Sequence, residues 1–74
     1  MKYVVVEIQT NADGTIGSIV TDFENKLDAE NKYHTILAYA AISNLPVHSA
    51  VILTNEGRTV KTEVYTHEEA SNEG

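Results

Sequence analysis

One stretch of this chain, Asn25 to Ser43, reads as helix, and a pair of alternating, β-branched runs flanks it on each side. A lone helix can bury its apolar stripe only against a sheet, so the pattern confines the chain to a two-layer α+β fold. Lys2 to Thr10, KYVVVEIQT, puts Val4, Val6 and Ile8 on one face at period two and Tyr3, Val5, Glu7 and Gln9 on the other. Its β-branched residues suit a strand and weaken a helix. Asn11-Ala12-Asp13-Gly14 is a turn, because Gly14 tolerates positive φ while Asn11 and Asp13 can bond their own backbone. Thr15 to Phe23, TIGSIVTDF, is a second strand, and Gly17 inside it predicts a bulge or a close backbone approach.

Asn25 is the expected N-cap, with Asp28 three residues on as its capping-box partner. Ala29, Tyr33, Ile36, Leu37 and Ala40 recur at helical spacing and form one stripe, about 100° wide. Ile36 and Leu37 sit in its middle. Pro46 disfavours helical backbone at Leu45 and so ends the helix. Val47 to Thr54, VHSAVILT, is the third strand, and Asn55-Glu56-Gly57 turns the chain. Arg58 to Thr66, RTVKTEVYT, is the fourth, with Val60, Thr62 and Val64 expected on one face. The order is ββαββ. Sheet order 2-1-3-4 makes every neighbour antiparallel and keeps both hairpins local, giving a two-layer sandwich with the helix on one face. Residues 1–66 form a single domain on this reading. His67 to Gly74, HEEASNEG, has no periodicity and reads as an acidic disordered tail.

Composition narrows the function. Five basic and 11 acidic residues give a net charge of −6, which argues against direct binding to nucleic acid or an anionic membrane. There is no cysteine, so disulfides, thiolate zinc sites and thiol chemistry are excluded. No apolar run of about 18 residues spans a membrane. The opening MKYVVVEIQT reads as a strand rather than a signal peptide, which predicts a cytoplasmic protein. His48 and Ser49 resemble a base beside a nucleophile, but neighbours on a strand point to opposite faces. His34, His48 and His67 form no i, i+4 pair, and none of the four glycines belongs to a phosphate-binding pattern. No metal, cofactor or catalytic residue is therefore expected.

Two surfaces carry more apolar residues than a two-layer domain needs. His34, Ala38, Ala41 and Ile42 lie away from the buried stripe of the helix and form a candidate self-association patch. The far face of the sheet is the rival, with Tyr3, Val5 and Tyr65 expected to face out together. A domain this small buries only about 60% of its unfolded surface, and oligomerisation is a common remedy.

The stretch Lys32 to Gly57, KYHTILAYAAISNLPVHSAVILTNEG, resembles a segment of short uncharacterised proteins of Gram-positive bacteria and their phages or mobile elements. The likeness is strongest at Tyr33-His34, Ile36 to Ala41 and Pro46 to Val51. It implies a compact ββαββ domain of cytoplasmic origin and brings no activity, cofactor or site residue. The functional expectation is a homodimeric, protein-binding accessory module. Two alternatives are an acidic inhibitor or decoy of a nucleic-acid-binding enzyme, and a small enzyme whose site, built from Tyr33, His34 and His48, lies at a dimer interface.

Overall fold

Two hairpins of the same design frame the molecule. The computed structural model describes residues 2–67. Strands β1 (Tyr3–Thr10) and β2 (Ile16–Phe23) form the first hairpin, helix α1 (Lys26–Ile42) follows, and β3 (Val47–Thr54) and β4 (Thr59–Thr66) form the second. In the first turn the Asn11 N–H donates to the Thr15 carbonyl at 2.8 Å and the Gly14 N–H to the Asn11 carbonyl at 2.9 Å. In the second, the Thr54 N–H reaches the Arg58 carbonyl at 2.8 Å and the Gly57 N–H the Thr54 carbonyl at 2.9 Å. Gly14 and Gly57 take φ of 91° and 88°, the left-handed step that closes a three-residue hairpin loop without splaying its strands.

The four strands make one antiparallel sheet in the order β2-β1-β3-β4, with α1 across one face. Asn25 caps the helix as its chemistry predicts. Its Oδ1 accepts from the Asp28 N–H at 2.9 Å, and its Nδ2 donates back to the Asp28 carboxylate at 3.0 Å. Ala29, Tyr33, Ile36 and Ala40 are buried beneath the helix, and Leu37 packs half-buried beside them. Opposite them the sheet supplies Val5, Ala50 and Ile52, with Tyr3, Phe23 and Val60 closing the rim of the core.

Three local expectations are corrected. Val5 is 1% exposed and Tyr3 packs on the core, while Tyr65 lies opposite the buried His48, so these three belong to the covered side of the sheet. Alternation then puts Val4, Val6 and Ile8 on the open side. Gly17 carries no bulge: β1 and β2 stay in step over eight residue pairs, and space around Gly17 is open. The irregularity falls in β4, where Ile52 opposes Lys61 but Leu53 opposes Thr59. The extra residue, Val60, is turned onto the core, away from Thr62 and Val64.

His67, expected as the start of the tail, is anchored. Its N–H donates to the Pro46 carbonyl at 2.9 Å, and its Nε2 lies 2.7 Å from the Ala40 carbonyl near the helix C-terminus. The remaining expected tail, residues 68–74, lies outside the described residues.

Candidate functional site

The covered face of the sheet carries one polar group deep enough to need an account. His48 is 3% exposed and reaches in from β3. Its Nε2 lies 2.7 Å from Glu7 Oε2, and its Nδ1 3.2 Å from Ser43 Oγ. Gln9 Nε2 donates to the same Glu7 oxygen at 2.8 Å. The register explains the meeting: Gln9 stands opposite His48 and Glu7 opposite Ala50, so Glu7 and His48 are diagonal neighbours on one face. Ser43, the residue that ends the helix, comes in from above.

With the Glu7 carboxylate ionised, Nε2 carries the ring proton and donates it to Glu7. Nδ1, on the other side of the ring, is within hydrogen-bond distance of the Ser43 hydroxyl. Burial by itself raises the Glu7 pKa. Hydrogen bonds from His48 and Gln9, with the charges of His48 and Lys32, outweigh burial and hold the carboxyl below its ordinary value.

Hydroxyl, imidazole and carboxylate in series is the connectivity of an acyl-transfer site. Ser43 Oγ also accepts the Leu45 N–H at 3.3 Å, and no cavity is present among the described residues. The series ties the helix C-terminus to the two central strands, and every polar atom named in it has a partner. Tyr33 is a core residue, its hydroxyl pKa raised by burial and by the nearby Glu63 carboxylate, and His34 is exposed beside it with ring centroids 5.4 Å apart. His48 bonds to neither, so Tyr33, His34 and His48 do not meet in one hydrogen-bonded group. His48 and Ser49 point to opposite faces, as their adjacency on a strand requires. Among the described residues no three His, Cys, Asp or Glu side chains converge to hold a metal ion. Among the described residues no helix is long and apolar enough to cross a membrane.

The other face of the sheet is bare. Val4, Val6 and Ile8 on β1 and Val51 and Leu53 on β3 line its centre. Val20 on β2 and Val64 on β4 flank them at 64% and 53% exposure. Among the described residues Asp22 is the one charged side chain on this face, whereas the helix side carries Glu7 and the buried His48 with Lys61 and Glu63 exposed on β4. The more apolar side of the sheet is thus the side left uncovered. The helix patch also stands free: His34, Ala38 and Ala41 are exposed and Ile42 is 79% exposed, with Tyr39 beside them at 65%.

The chain matches no family model, no curated protein and no solved structure. Its function is read from its geometry.

Proposed function

We propose that this protein is a cytoplasmic, protein-binding accessory module that forms a homodimer through the open face of its sheet. One observation carries the reading: the valine-rich face, nearly free of charge, is bare, while the helix packs on the face that carries Glu7, His48, Lys61 and Glu63. Contiguous apolar surface of this kind marks an association site. Eight residues per strand and four strands make a face of about 26 by about 19 Å, near 500 Å² in flat projection. Two copies then bury about 1,000 Å², the lower bound of a specific interface. A net charge of −6 opposes self-association, and a face with Asp22 as its one charge is where a second copy meets least of that repulsion. Face-to-face packing of two sheets, helices outward, also closes a sandwich of ordinary spacing, about 10 Å.

Sedimentation tests the reading. The parent should be a dimer at about 100 μM. Val64→Lys places a cation on the open face at a half-exposed site and should yield a folded monomer by circular dichroism and sedimentation. Ile42→Glu, on the helix patch, should stay dimeric. A monomeric parent refutes self-association. A dimer that survives Val64→Lys and is lost in Ile42→Glu moves the interface to His34, Ala38, Ala41 and Ile42.

A further inference from the structure

The sheet has two edges, and they are unequally defended. Along β4 and the turn before it lie the bulge at Val60 and the charges of Arg58, Lys61 and Glu63, and Lys61 is bridged to Glu30 of the helix at 3.2 Å. Charges and bulges are the usual guards of a sheet edge. The sequence of β2, IGSIVTDF, has no lysine, arginine or proline, and its pairing with β1 is unbroken. Ile16, Ile19 and Val20 are 71%, 53% and 64% exposed, so β2 is apolar on both faces.

The phase of the ladder shows which backbone groups this edge presents. The Asn11 N–H to Thr15 carbonyl bond makes that pair a hydrogen-bonded one. Alternation from it along the register gives Gly17, Ile19, Thr21 and Phe23 to the β1 ladder. The N–H and C=O groups of Ile16, Ser18, Val20 and Asp22 therefore point outward. On the opposite side of β1, the Asn55 N–H to Lys2 carbonyl bond has the matching phase.

We propose that the β2 edge receives an extended segment of another protein as a fifth strand, apolar at alternate positions and flanked by lysine or arginine. This develops the protein-binding half of the function proposed above and does not require the dimer. Charge selects the occupant. Asp13 lies at one end of β2 and Asp22 at the other, with no basic residue between them, while Glu24 just beyond is paired with Lys2 at 3.4 Å. A second β2 paired antiparallel about the strand centre would set Asp22 of each copy against Ile16 of the other and bring no cation to it. A foreign strand with cationic ends brings cations to Asp13 and Asp22, while the added ladder supplies backbone hydrogen bonds.

The test uses a labelled synthetic peptide of alternating valine and threonine with a lysine at each end, at about 0.1 M salt, where screening acts beyond about 10 Å. A second peptide has the same core and glutamate ends. Anisotropy should show the lysine-ended peptide binding at least about tenfold more tightly. Hydrogen exchange should slow at the amides of Ser18 and Val20. Ser18→Pro removes an outward N–H, a substitution an edge strand accommodates, and should abolish binding without changing the circular dichroism. N-methylation of alternate peptide amides should abolish it with no change to the protein. Val64→Lys should bind the peptide like the parent, so loss of the dimer and loss of the edge site are read apart. Equal binding of the two peptides, no added protection at Ser18 and Val20, or undiminished binding of the N-methylated peptide overturns the proposal. Conversion of a dimer to a monomer by Ser18→Pro also overturns it, by assigning the edge to a second copy.

Discussion

Glu7 sets the character of the covered face. It lies on the inward side of a central strand, where a carboxylate is stable only with partners, and His48 and Gln9 provide them at 2.7 and 2.8 Å. Because its pKa is lowered on folding, its stabilising contribution is complete above the ordinary value of 4.5 and is lost as pH falls below that. The parent should therefore melt above Glu7→Gln near neutral pH, and the gap should narrow as the pH is taken towards about 3. A gap that stays constant on acidification would show that Glu7 is not held by these bonds. Gly17 offers the opposite case. It sits in a strand with no left-handed φ, and a Cβ there would meet nothing within 4 Å. Gly17→Thr should raise stability by about 0.5–1 kcal/mol in denaturant melts; a loss would mean that the backbone there needs glycine. At this scale the sequence is only half readable. Alternation places Glu7 on the face of Tyr3 and Val5 but points to the valine-rich face as the inward one, so nothing local signals that its carboxylate needs a donor. That the donor is His48 depends on a register between strands some forty residues apart, which local pattern does not carry.

The elements are far more legible, because their ends are written in local chemistry. Asn25 and Asp28 start the helix, Pro46 stops it, and Gly14 and Gly57 close the two turns. The helical stripe is equally plain, since period 3.6 leaves one buried side. Ile36 is 3% exposed at its centre, and Ile36→Ala should cost about 2–5 kcal/mol in chemical denaturation. A melt within a degree or two of the parent would place the helix in another register. Leu37, on the shoulder of the stripe and half-buried, should cost less than Ile36. Local pattern leaves open which face of the sheet the helix covers. Alternation defines two faces and labels neither, and here the richer run of valines misleads, because it faces away from the helix. Val60 departs from simple alternation for a related reason: a bulge shifts parity at the start of β4, and no residue in RTVKTEVYT signals it.

At the scale of the molecule, charge and apolar surface are segregated. Acids outnumber bases by 11 to 5, yet among the described residues the open sheet face holds Asp22 as its lone charge. The charge balance predicts negligible affinity for duplex DNA at about 150 mM salt, and micromolar binding in an anisotropy titration would contradict it. The bare face predicts a partner of its own shape. Overall charge and architecture are readable from sequence, whereas the location of the interface requires knowing which side the helix occupies. The most direct measurement is an isotope-filtered NOE experiment on a mixture of labelled and unlabelled protein. The proposed dimer predicts contacts between protomers from the methyl groups of Val4, Val6, Val51 and Leu53. Contacts between protomers confined to Ala38, Ala41 and Ile42, or none at all at concentrations where the protein is fully associated, would contradict it.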